Sequence, residues 1–220
     1  MKRIRKSSII ALFIGVCIVA VWYFFRFDLG GNEKMEIIYF DFEPPKSFDP
    51  LEADRAINLQ AARMMYLTPI EISVNNRLVS SILKSFEYSK DQAVIKWVIN
   101  PDLRFEDGSK ITSEDVVMSV KRMALNRPMF PVLREIVGLT DWLKEAFPLK
   151  SNPSGIMVSG DTITIKLNKD VPNPLFRFCL ELFSIIPSKC INLESGKMVC
   201  DMPPESGYYK LVSRGQKGLE

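Results

Sequence analysis

The side chains able to do chemistry are few: three cysteines in the C-terminal part, Cys179, Cys190 and Cys200, and the adjacent acids Glu114 and Asp115. Histidine is absent from all 220 residues. That removes a histidine general base, a Ser-His or Cys-His nucleophile pair and every metal site that needs imidazole. The cysteines are not spaced as C-x-x-C, and a zinc site built on them would need a fourth ligand. Glu114 and Asp115 stand where a helix begins and fit a cap better than a pair of hydrolytic carboxylates. No G-x-S-x-G, P-loop or G-x-G-x-x-G segment occurs. The chain reads as a non-enzyme, with no cofactor or metal set visible in the sequence.

The redox setting of the thiols follows from the N-terminus. Ile9 to Phe25 is an apolar run interrupted only by Gly15, preceded by Lys2, Arg3, Arg5 and Lys6. Its length is near the lower limit for crossing roughly 30 Å of hydrocarbon. Trp22, Tyr23, Phe24 and Phe25 stand where an interfacial aromatic belt would be, and the positive-inside rule sends the body outward. Residues 1–27 are therefore expected to be an uncleaved signal anchor that holds the body at the extracytoplasmic face of the cytoplasmic membrane. A cleaved signal peptide is the alternative, although no A-x-A site follows the run. A lipoprotein signal would want a small residue where Val16 precedes Cys17. In such an oxidising compartment Cys190 and Cys200 are expected to form a structural disulfide closing a short loop. Cys179, within an apolar helix, is expected to be a small buried hydrophobe.

The net charge of +3 is a property of the anchor. Five of the 29 bases lie in residues 1–27, which carry no acid, so 24 bases face 26 acids in the rest. A slightly acidic body without a basic stripe gives no support for nucleic-acid binding.

The elements that must position any site form one mixed α/β unit, residues 35–220, entered through a Gly30-Gly31 linker at 28–34. Met35 to Phe42 is an expected strand, stopped by Pro44 and Pro45. Asp54 to Tyr66 has helical spacing in Ile57, Ala61, Met64 and Met65. Ala93 to Ile99 and Asp161 to Leu167 alternate as strands. Asp107-Gly108 marks a turn. Thr112 stands three residues before Asp115, a capping-box spacing that opens a helix over Ser113 to Leu125. Val132 to Phe147 has amphipathic helical spacing. Leu175 to Leu182 reads as a short apolar helix, and Ser184 to Ile186 as a brief strand.

The order of these pieces resembles the extracytoplasmic solute-binding proteins of peptide-type ABC transporters, the oligopeptide and dipeptide-binding family, from about Ile37 to Val212. Leu103 to Arg122, LRFEDGSKITSEDVVMSVKR, is the most specific part: strand, Phe, Asp-Gly turn, Thr, acid-Asp pair, then a helix carrying Ser and Lys-Arg. Ser47-Phe48-Asp49-Pro50, Asp161 to Leu167 with Val171-Pro172, Ile186-Pro187-Ser188-Lys189 and Ser206-Gly207-Tyr208-Tyr209-Lys210 follow the family's other motifs in order. Leu67-Thr68-Pro69 replaces the family's frequent Glu-Gly-Leu.

The resemblance implies a type II periplasmic-binding-protein-like first lobe, a mixed sheet with flanking helices. The family clasps its ligand between two lobes that close about a hinge, and this chain is expected to stop before the second lobe. It implies a peptide or other small solute as ligand and an ABC permease as partner. Asp54 and Arg55, just after the S-F-D-P motif, fall where the family chain borders the cleft, with Asp41 at a strand end as a further candidate. The rival reading is a membrane-anchored sensor or interaction domain that reuses the fold without transport.

Overall fold

The computed structural model describes residues 47–52, 56–91, 93–168 and 171–210. The segments 1–27 and 28–34 and the strand expected at 35–42 lie outside them. Among the described residues no helix is long and apolar enough to cross a membrane.

In chain order the strands are β1 (Ile70–Ile72), β2 (Leu78–Ser80), β3 (Leu83–Tyr88), β4 (Val94–Ile99), β5 (Ile156–Ser159) and β6 (Thr162–Lys166). The helices are α1 (Ala56–Met65), α2 (Ser113–Asn126), α3 (Leu139–Trp142) and α4 (Pro174–Arg177), with 3-10 turns at Pro50–Glu52, Pro148–Lys150, Glu181–Phe183 and Ser188–Cys190. One sheet has the order β3-β4-β6-β5, and β1-β2 is a separate hairpin. All of these pairs are antiparallel.

Alternation builds the sheet. In β4, Ile95, Trp97 and Ile99 point inward and are buried, while Lys96 between them is exposed. In β6 the inward pair is Ile163 and Ile165, directly opposite Trp97 and Ile95. A period of two thus puts one apolar face from each strand on the same side. Strands β5 and β6 turn through Gly160-Asp161, where Gly160 has φ 57°, in the left-handed region that two-residue hairpins require.

Helix α2 starts at the expected box: Thr112 Oγ1 accepts from the Asp115 amide, and an Asp115 carboxylate oxygen accepts from the Thr112 amide at 2.8 Å. Its apolar face, Val116, Val117, Val120, Met123 and Ala124, is buried in the same core as the sheet. The Asp107-Gly108 turn is also formed, with the Gly108 amide donating to Phe105 O at 2.9 Å.

Three elements differ from expectation. Val132, Leu133, Ile136, Leu139 and Trp142 are all buried, yet only Leu139–Trp142 of the segment 132–147 is α-helical. Gly138 sits at φ 75°, where a Cβ would collide with Ser154 Oγ. Just before it, Val137 donates its amide to Lys166 O at 3.0 Å and accepts from Gly155 N at 2.8 Å. Pairing with the end of β6 therefore takes the backbone that a helix would need, and successive turns present the same side chains inward. In the segment 175–182, α4 ends at Arg177. Phe178 is then fixed edge-on to Trp97, with ring centroids 4.8 Å apart, and close to Phe183 at 4.9 Å. Ser184 to Ile186 is not a strand: Ile185 donates to Leu67 O at 2.8 Å, and its carbonyl accepts from the Ser206 hydroxyl.

The β1-β2 hairpin, β3 and β5 have no counterpart among the expected elements. The signal for the hairpin was present at Asn75-Asn76, where Asn76 takes φ 56° between two short apolar runs. Asparagine tolerates that region because its short amide bonds locally.

Candidate functional site

The motif segments converge on the polar side of α2. Asp115, Ser119, Lys121 and Arg122 are buried there. Charges are buried only when paired and hydrogen-bonded, and each of these has partners from distant chain. Asp115 accepts from the Ser188 amide at 2.7 Å. Ser119 Oγ accepts from the Ile186 amide at 3.5 Å. The Lys121 ammonium donates to Leu149 O, Ser151 O and Asn152 Oδ1 at 2.8, 2.7 and 3.0 Å. These contacts match its three donors to three acceptors. Burial lowers its pKa, against the opposing pull of Glu114 and Glu145.

Arg122 joins three segments. Its Nε donates to Gly196 O at 2.6 Å, and its Nη2 is ion-paired with Asp49, both side chains being 5% exposed. The other Asp49 oxygen accepts from the Leu51 amide at 3.0 Å and fixes the Pro50–Glu52 turn. Ser206 closes the opposite side: it accepts from the Leu67 amide and donates to Ile185 O. Gly207 then donates to Met65 O, so close that a Cβ would stand 2.7 Å from Met64 O. Only glycine permits that approach. Tyr66 is buried beside this network, and among the described residues its hydroxyl has no partner. Desolvation, with the Glu205 and Asp49 carboxylates adding, raises its pKa well above the phenol range.

A shallow depression of about 210 Å³ lies where Asp49 and Glu52 face Lys197, Cys200 and Asp201. Ligand sites for small molecules usually hold about 300–1,000 Å³, so this surface offers a wall rather than an enclosing pocket. Glu52 and Asp201 supply carboxylates to it and Lys197 an ammonium. It can hold polar groups by charge and hydrogen bonds.

Asp41, Asp54 and Arg55 lie outside the described residues; in sequence Asp54 and Arg55 fall between the Pro50–Glu52 turn and α1. Cys190 and Cys200 are joined by a disulfide, with Cα atoms 5.2 Å apart. Cys179 is a free thiol but not the buried helical residue expected: it is half-buried, in the turn after α4, because that helix stops at Arg177. Burial, helped by the Glu71 carboxylate, pushes its thiol up from 9.0 to about 11. Two pKa units mean about a hundredfold less thiolate near pH 8. A higher-pKa thiolate is also more nucleophilic, so Cys179 should react with iodoacetamide roughly tenfold more slowly in the folded chain than in urea near pH 8, and the rate should still be rising at pH 10. A folded rate levelling off near pH 9 contradicts this.

Sequence reasoning did not find the roles of Asp49 and Arg122. Their partners are 73 residues apart, and the one available signal was that both stand inside motifs of the family pattern.

Residues 77–218 match the family described as bacterial extracellular solute-binding proteins, family 5 Middle. The periplasmic murein peptide-binding protein MppA of Escherichia coli (strain K12) is 23% identical over 168 residues, which cover 75% of this chain and 31% of MppA. Among solved structures, Escherichia coli MppA superposes with a TM-score of 0.62 at 20% identity, covering 79% of this chain and 35% of that one. A periplasmic oligopeptide-binding protein of Borrelia burgdorferi gives 0.62 at 20% identity, covering 79% and 36%. OppA of Haemophilus influenzae, in complex with the peptide RPPGFSPFR, gives 0.55 at 17%, covering 67% and 29%. The chain thus spans about a third of the length of these relatives, and the structural likeness establishes the fold.

Proposed function

We infer the function from one premise: this chain belongs to the bacterial extracellular solute-binding proteins, family 5, with the match running over residues 77–218. Its proposed role is solute recognition for an ABC importer, with peptides as the solute class and a permease as the partner. The family match carries this reading. The peptide class is supported by relatives that bind murein peptide and oligopeptides. Non-covalent work is supported by the buried charged groups of α2, which are committed to backbone carbonyls, backbone amides and the Asp49 carboxylate.

The apolar run behind Lys2, Arg3, Arg5 and Lys6 supports a tether at the extracytoplasmic face of the membrane. Asp54 and Arg55 remain the proposed ligand-side pair, with Asp41 beside them in the proposal. In sequence the pair follows Glu52, which lines the depression.

Deleting the chain from its host should abolish uptake of labelled short peptides and leave uptake of free amino acids intact. Unchanged peptide uptake with altered transcription of a neighbouring signalling gene would overturn the importer reading in favour of an anchored sensor.

A further inference from the structure

The loop from Cys190 to Cys200 is held at three points. The Ile191–Met198 bridge and the Val199 amide donating to Cys190 O pair its two arms. Its tip is seated on α2: Gly196 is buried at φ 68°, with Leu125 Cδ2 3.1 Å from where a Cβ would stand, and its carbonyl accepts from Arg122 Nε at 2.6 Å. The disulfide ties the outer arm to Cys190, which is fully buried. Cys200, in contrast, is half-buried and lines the open depression with Asp49 and Glu52. The bridge therefore joins a half-buried residue at the open depression to a residue in the core. The same Arg122 that holds the loop tip also holds Asp49, and Asp49 fixes the turn that borders the other side of the depression.

We propose that the Cys190–Cys200 bridge is a redox-addressed latch, whose reduction through Cys200 by an external dithiol frees the 190–200 loop from Arg122 and loosens the Ser47–Glu52 wall. A thiolate of the dithiol, entering from the depression that Cys200 lines, attacks the Cys200 sulfur, the S–S bond breaks, and Cys190 leaves as a thiolate that takes up a proton. The reductant's second thiol then attacks the mixed disulfide and releases Cys200. Two electrons and two protons pass to the protein, and the dithiol becomes a disulfide. Reduction leaves the outer arm attached by backbone hydrogen bonds and the half-buried Met198 side chain, contacts that open locally at lower cost than the core does. Losing the Gly196 carbonyl takes one of the two anchors of the Arg122 guanidinium, so the Asp49 pair and the turn it fixes share the release.

Amide hydrogen exchange of the full chain, oxidised and in excess dithiothreitol, tests this with the bridge state read by mass. The Leu51, Glu52 and Gly196 amides should exchange about tenfold faster or more after reduction, while Val94–Ile99 keep their protection. The double variant Cys190→Ser with Cys200→Ser should reproduce the reduced pattern without reductant. A reduced bridge with unchanged exchange at Leu51 and Glu52 overturns the latch. So does an equal acceleration in β4, which would mark general destabilisation, or a bridge that dithiothreitol cannot reduce in the folded chain.

Discussion

Arg122→Met should lower the unfolding free energy by about 3 kcal/mol in urea titration, the low end of the range for breaking a buried ion pair. The substitution keeps most of the side-chain volume and removes the charge. Among the described residues, Asp49 is then left as a buried carboxylate with only the Leu51 amide as partner. The low end applies because Asp49 lines the depression, and a modest shift would bring water to it. Adding Asp49→Leu to Arg122→Met should recover most of the loss, since removing both charges of a buried pair is often close to neutral. A single-variant loss below about 1 kcal/mol would mean that the pair behaves like a surface salt bridge.

Trp97→Ala should cost about 3–5 kcal/mol, because a fully buried indole leaves a large cavity. Trp97 sits between its register partners Phe86 and Ile163 and stacks edge-on against Phe178, so the surroundings cannot collapse without moving two strands. Trp97→Phe should cost much less, about 1.5 kcal/mol or below, for a specific reason. Among the described residues the indole N–H has no hydrogen-bond partner, and removing an orphaned donor returns about 1–3 kcal/mol against the lost apolar area. Both variants remove the N–H, so the difference between them reports the cavity, and equal losses would contradict the cavity account.

What was legible in the residues is what local chemistry decides. The alternation of Ile95, Trp97 and Ile99, the Thr112–Asp115 box and the Asp107-Gly108 turn each depend on neighbours within a few positions, and each is formed. The segment 132–147 is not helical throughout, because spacings of three and four place side chains inward from consecutive turns as well as from a helix. The deciding contacts, Val137 with Lys166 and Gly138 against Ser154, come from β6 and from the loop before β5. The turn after α4 was decided in the same way by Phe178 against Trp97. The candidate site was less legible. A Lys-Arg pair on a helix reads as a solvated face, and only tertiary structure shows Lys121 capping three acceptors and Arg122 joining Gly196 to Asp49.

Solute recognition without catalysis is tested most directly by an NMR titration of the chain with a mixed pool of di- to pentapeptides, alongside an equal pool of sugars. The open depression predicts saturable shifts centred on Glu52, Lys197 and Asp201 with a millimolar Kd, equivalent to about −4 kcal/mol, with every peptide recovered intact and no response to sugars. Peptides that leave these resonances unmoved, or that are recovered cleaved, would contradict it.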